Sequence, residues 1–214
     1  MNKKILLIGG GGHCKSVLDS LLNLNEYADI GIIDNKENAA KTVLGIPILG
    51  CDKNLPSLYK DGYSHAFVTV GSIGNPSLRI KLFNALCEIG FIIPNIVDAS
   101  SEVSKYARIG KGVFIGKQAI VNAGAVICDG TIINSGAIVE HDCEIGEFVH
   151  IAPGTVLSGG VKIGDHSHIG SNTTVKQGIC IGSNCVIGMG SIVTKNIRDN
   201  VMAYGNPCKE VKKL

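Results

Sequence analysis

From Val103 to Val193 a branched aliphatic residue recurs at every sixth position without a slip. The series is Val103, Ile109, Ile115, Val121, Ile127, Ile133, Val139, Ile145, Ile151, Leu157, Ile163, Ile169, Val175, Ile181, Ile187 and Val193. An α-helix repeats its faces about every 3.6 residues and an alternating strand about every two, so neither explains the pattern. A solenoid does: each hexad is one short strand and one corner, with its aliphatic residue pointing inward. Four residues after each aliphatic the side chain is usually small or β-branched, as at Ala107, Val113, Ala119, Ala125, Thr131, Ala137, Cys143, Val149 and Thr155. Glycine often follows the aliphatic directly, at Gly110, Gly116, Gly146, Gly164, Gly170, Gly182 and Gly188. Three hexads complete one turn of a triangular prism, which stacks residues i and i+18 at about 4.8 Å and makes the whole run roughly 25 Å long. The repeat alone is equally compatible with a passive scaffold.

About a hundred residues precede the repeat, enough for one small domain. The 214-residue chain is 45% hydrophobic and 18% charged, a composition that buries a core rather than staying disordered. A net charge of +2, with no basic stripe, argues against a nucleic-acid partner. The eight cysteines are scattered with no CxxC pair, and Cys143 and Cys185 occupy inward hexad positions. The apolar run after Lys3-Lys4 stops after four residues, too short for a secretory signal. No stretch approaches the roughly 20 apolar residues of a membrane span. These features predict a reduced, cytoplasmic protein with free thiols.

Before the repeat, strands and helices alternate. A buried strand over Lys4–Gly10 runs into Gly9-Gly10-Gly11-Gly12-His13, and a helix follows through Val17, Leu18, Leu21 and Leu22. Ile30–Ile33 ends in Asp34-Asn35, and His65–Val70 ends at Gly71. Pro76 can open a helix carrying Ile80, Leu82, Phe83, Leu86 and Ile89; Gly90 stops it, and Phe91–Val97 reads as a fourth strand. The alternation predicts a small, Rossmann-like parallel α/β sheet. The glycine run offers unhindered backbone N–H groups at a helix N-terminus, a phosphate-binding arrangement. It is a poor dinucleotide fingerprint, because Cys14 stands where a third glycine belongs. Asp34, at a strand tip, suits a ribose or base; a structural turn with a solvated Asp is the alternative. Asn75 and Arg79 border the same edge. Arg79 either reaches a phosphate or is simply solvated.

The histidines of the repeats have little room inside a prism and are expected to face outward. His141 stands between Glu140 and Asp142, carboxylates that can orient its ring and stabilise an imidazolium, so it suits a general base or is an ordinary surface residue. Gly159, eighteen residues on, is expected to leave open space for a ligand beside it. His150 and His168, also eighteen apart, should stack. His141 and His150 are half a coil apart, so a site using both needs a second subunit, and a triangular prism packs readily about a threefold axis.

The hexads, the Gly-Gly-His loop, Asp34-Asn35, the Glu140-His141-Asp142 corner and the ending Gly205-Asn206-Pro207-Cys208-Lys209 together resemble the two-domain hexapeptide-repeat sugar acyltransferases. That family includes sialic-acid O-acetyltransferases and N-acetyltransferases of nucleotide-linked 4-amino sugars. The resemblance implies a Rossmann-like nucleotide-sugar domain over 1–98, a left-handed parallel β-helix binding acetyl-CoA over 99–200, and a tail over 201–214. It implies a homotrimer with sites between subunits, acting in bacterial surface glycan biosynthesis without a metal. The acceptor it puts first is a UDP-linked 4-amino sugar, although the residues do not choose between UDP, GDP and CMP, or between amine and hydroxyl. The family's catalytic His falls on His141 and its helper carboxylate on Asp142, where many relatives carry Glu. His150 falls at the thioester end of acetyl-CoA. Pantetheine contacts fall on Gly159, Ser171, Gly188, Met189 and Gly190; the nucleotide-sugar contacts fall on Gly11, Gly12, His13, Asp34, Asn35 and Gly71. Two rivals remain at this point. One is a zinc enzyme of the γ-carbonic-anhydrase type using His150, His166 and His168, whose spacing does not fit that family. The other is a sugar-nucleotide-binding protein without activity.

Overall fold

A computed structural model of the protein describes residues 3–214. The chain forms two compact units. One runs to Gly71 and resumes over Ser77–Ile96; the other comprises Ser72–Pro76 and Val97–Leu214.

The first unit is a five-stranded sheet flanked by helices. Its elements are β1 (Lys4–Ile8), α1 (Gly12–Leu24), β2 (Asp29–Ile33), β3 (Thr42–Val43), β4 (Ile46–Gly50), α2 (Leu55–Lys60), β5 (His65–Val68) and α3 (Ser77–Ile89). The order is β3-β4-β2-β1-β5, with every neighbouring pair parallel except β3 and β4. The central strand β1 is a continuous apolar run because both its faces are covered, and Ile5, Leu6, Leu7 and Ile8 are fully buried. The expected fourth strand over Phe91–Val97 does not form in this sheet. Ile92 makes one isolated bridge to His65, and Pro94, lacking an N–H, cannot extend the ladder. The fourth parallel strand is β4, which the sequence concealed behind Pro47 and an interrupted alternation.

The second unit is the prism. Two-residue strands stack with a register of eighteen in three parallel sheets, for example Val121↔Val139, Val126↔Glu144 and Ile132↔His150. The first face carries the Val103 series, the second the Ile109 series and the third the Ile115 series. The inward aliphatics and the small corner residues form one buried cluster. Where a corner residue is polar, its hydroxyl bonds a carbonyl of the coil below: Thr131 to Gly146 (2.8 Å), Thr155 to Gly170 (3.0 Å) and Ser167 to Gly182 (2.7 Å).

Left-handed backbone falls three residues after the aliphatic, at Gly124, Gly130, Gly136, Gly154 and Gly160 but also at Asp142, Phe148, His166 and Asn172. The glycines directly after the aliphatic answer a steric demand instead: a Cβ on Gly146 would strike Asp165 of the next coil. The last residues extend the third face, Val201–Gly205 pairing parallel with Val186–Ile187 and antiparallel with Cys208–Lys213.

Candidate active site

In the first unit, the loop after β1 turns through Gly9 (φ 109°), whose N–H donates to the Ile33 carbonyl (2.7 Å). Thr69 braces it from β5 by donating to the Gly9 carbonyl (2.6 Å). No side chain caps α1, so its first-turn N–H groups are open to an anion. The loop borders a cavity of about 460 Å³ lined by Gly9 through His13, Asp34, Asn35, Asp52, Thr69, Gly71 and Leu78 among others. All six expected substrate residues, Gly11, Gly12, His13, Asp34, Asn35 and Gly71, therefore meet in one place. Gly10 is required there because a Cβ would press on the Asp34 carboxylate. Asp34 is held by Asn38, which donates to Oδ2 (2.9 Å). Asn38, Thr69 and Asp52 were missed; only the i, i+4 spacing of Asp34 and Asn38 gave any signal.

Burial pushes the His13 imidazole down to about 4, and the positive Arg79 adds to the effect. Arg79 is not the solvated residue one reading expected. It is 3% exposed, and burial lowers its guanidinium to about 10.

On the prism, His141 lies at the edge between the first and second faces. Its neighbour Asp142 adopts φ 60°, a conformation Asp tolerates better than most residues. That turn folds the carboxylate back onto the ring, with Nδ1 to Oδ2 at 2.8 Å. Nδ1 therefore carries the donated proton and Nε2 keeps its lone pair. The hydrogen bond and charge of Asp142, with the charge of Glu140, raise the His141 pKa above 6.5. Glu140 is tied to the preceding coil by Asn122 Nδ2 (3.0 Å). Gly159 does not leave empty space. The imidazole itself occupies it, and a Cβ there would come within 2.5 Å of His141 Nε2.

His150 and His168 stack as expected, edge to face with centroids 4.9 Å apart. His150 Nδ1 donates to the Ser72 carbonyl (2.9 Å), and its Nε2 meets Asn134 Nδ2 (3.2 Å). The Asn134 orientation is set by its Oδ1, which accepts the Ser135 N–H (2.8 Å). Both ring nitrogens of His150 are thus engaged. His168 points outward but is buried, because Ser72–Pro76 lies on this face, with Gly74 close against Val186. His166 bonds Asn184 at another edge (3.3 Å). Among the described residues of one chain no group of three or more His, Cys, Asp or Glu side chains could hold a metal ion.

The remaining expected cofactor residues divide between edges. Gly159 shares the edge of His141, whereas Ser171, Gly188, Met189 and Gly190 sit on the edge between the third and first faces. Met189 is 82% exposed there.

A prism of hexads carrying a carboxylate-oriented imidazole, joined to an α/β domain with a glycine-lined cavity, defines an acyltransferase of the hexapeptide type. Comparison with known proteins agrees. Residues 4–86 match the PglD N-terminal domain, residues 124–159 and 142–177 the bacterial transferase hexapeptide, and residues 106–141 and 160–195 the hexapeptide repeat of succinyl-transferase. The acetyltransferase domain of PglB from Neisseria gonorrhoeae, solved with acetyl coenzyme A, is 34% identical over 99% of this chain and 100% of its own, with a TM-score of 0.92. PerB from Caulobacter crescentus, solved with CoA and GDP-perosamine, is 37% identical over 98% of this chain and 97% of its own (TM-score 0.91). WeeI from Acinetobacter baumannii, 23% identical over 98% of this chain and all of its own, shares the fold (TM-score 0.86). The chain belongs to the two-domain hexapeptide-repeat sugar acyltransferases, and its prism is their left-handed β-helix. It is an acetyltransferase of that family.

Proposed function

We propose that the protein moves the acetyl group of acetyl-CoA to an amine or hydroxyl of a nucleotide-linked sugar, with a UDP-linked 4-amino sugar as the first candidate acceptor, in the cytoplasm. The observation that carries this reading is the His141–Asp142 pair, whose geometry leaves a lone pair on Nε2. The acceptor attacks the thioester carbonyl, Nε2 takes its proton, and the same proton goes to the departing sulfur. Asp142 stabilises the imidazolium in between. His150 lines the acetyl-CoA site as a neutral wall, since its Nδ1 proton and Nε2 lone pair are both spent. The nucleotide is held in the α/β unit by the α1 N-terminus and Asp34.

The enzyme works as a homotrimer. Two observations support this: the expected cofactor residues lie on two different edges, and the first face between those edges bears a half-exposed stripe of Ile120, Ile138, Val156 and Ile192, suited to cover by a second copy. No helix among the described residues is long and apolar enough to cross a membrane. The test is thiol release from acetyl-CoA with a panel of UDP-, GDP- and CMP-linked sugars. Release with none of them overturns the reading.

A further inference from the structure

We propose that Ser72–Pro76 is a latch on the third face of the prism, closed at neutral pH and released when His168 beneath it takes up a proton. The latch is a property of the chain itself and is separable from acetyl transfer, because neither substrate takes part in it.

The segment belongs to the same compact unit as the prism and reads Ser-Ile-Gly-Asn-Pro, without an ionisable side chain. Two contacts hold it on the face. The Ser72 carbonyl accepts from His150 Nδ1 at 2.9 Å. Two residues on, Gly74 adopts φ 73° and comes so near Val186 that a Cβ would lie 3.0 Å from its Cγ2. Ile73 between them turns out to solvent and is 81% exposed. His150, His168 and Val186 are cross-strand neighbours in that order, so the two contacts bracket His168. His168 is consequently 7% exposed, and its Nδ1 is sealed from water with no hydrogen-bond partner among the described residues.

Such a site tolerates only a neutral ring. A protonated imidazole carries a charge and a donor on each nitrogen, and a buried donor without an acceptor is costly. Nothing around it compensates. Val186 on one side is apolar, the latch carries no carboxylate, and the titratable side chain on the other side is the His150 imidazole, edge to face at 4.9 Å. On its own coil Asp165 and His166 stand at the edge between the second and third faces, where His166 bonds Asn184. Burial accordingly lowers the His168 pKa below 6.5. His150 has both nitrogens engaged, with Ser72 and Asn134, whereas His168 gives up no bond at Nδ1. Proton uptake therefore falls to His168, and water reaches Nδ1 when the latch lifts. Lifting also takes the Ser72 carbonyl away from His150.

NMR on the full-length protein, without substrates, tests this. The nuclear Overhauser contact between the Gly74 α-protons and the Val186 methyl group reports the closed latch, and the ring signals of His150 and His168 report protonation. The contact should be lost at the pH where His168 titrates, below 6.5, with the open-to-closed ratio rising about tenfold per pH unit, the slope of one proton. His168→Phe keeps an aromatic edge for His150 but cannot titrate, so the contact should persist through the same range. Gly71, just before the latch, lies against His13, the other imidazole whose pKa is lowered by burial; His13→Asn should leave the transition in place. A transition unchanged in His168→Phe, or abolished in His13→Asn, overturns the latch. Should His168→Phe not fold, the wild type decides alone. Loss of the contact while His168 stays neutral, a protonated His168 with the contact intact, or a contact that survives until the protein unfolds would each overturn it.

Discussion

The proposed base, His141, owes its orientation to one backbone angle. With φ near 60° at Asp142, adjacent side chains that normally diverge come into hydrogen-bond contact. His141→Ala should lower kcat by roughly 10²–10⁴ with acetyl-CoA binding retained, as single-turnover and binding measurements on folded protein will show. Asp142→Asn should cost less, since the base survives. The pH dependence has a definite sign. Because the native pKa is raised, the neutral base accumulates only as pH climbs through that raised value, so the rate should rise through an inflection above 6.5. Asp142→Asn should move the inflection down, and a profile that does not move would exclude the pair as the titrating unit. Gly159→Ala should behave like a catalytic mutant, because its methyl group displaces the imidazole from the coil below.

At the scale of elements, the β1–α1 loop and the β2 tip line one cavity. Asp34→Ala should weaken nucleotide-sugar binding and leave acetyl-CoA binding nearly unchanged, measured by calorimetry with each ligand; the reverse pattern would refute the division of labour between the two units. The same loop carries an acid sensitivity. His13 binds a proton below about 6.5 when the chain is unfolded, but only below about 4 in the native protein. Its stabilising contribution is complete above pH 6.5 and is lost as pH falls towards 4, about 3 kcal/mol in all. Urea denaturation at pH 7 and pH 4.5 should show a smaller acid loss in His13→Asn than in the wild type. Equal losses would place the acid sensitivity elsewhere.

For the molecule as a whole, the edge bearing His141 and the edge bearing Ser171 and Met189 flank the same apolar face, so the active species should be a trimer. Light scattering at assay concentration checks this, and an active monomer would refute it. The prism was legible because its coils repeat one local rule: an inward aliphatic each sixth residue, with a small or β-branched residue at the inner corner. Most of the α/β unit was legible too, from β1, β2, β5 and the amphipathic α1 and α3. β4 was not, because its place in the sheet depends on pairing with β2, and Pro47 breaks the pattern that would have announced it. Phe91–Val97 failed the opposite way: Pro94 interrupts it, leaving one bridge from Ile92 to His65 and a two-residue strand at Ile96–Val97. The cavity residues Gly11, Gly12, His13, Asp34, Asn35 and Gly71 could be grouped in sequence because they cluster at strand ends, where parallel sheets open their crevices. Their supports could not: Thr69 braces a glycine sixty residues away. Sequence by itself determined the repeat and its register of eighteen, since both follow from local periodicity. Only the tertiary structure decided which nitrogen of His141 is free, that Gly159 is filled by that ring, that both ring nitrogens of His150 are engaged, and that Arg79 is buried. Those outcomes depend on which groups meet across coils and across the chain, and on how much water the meeting excludes.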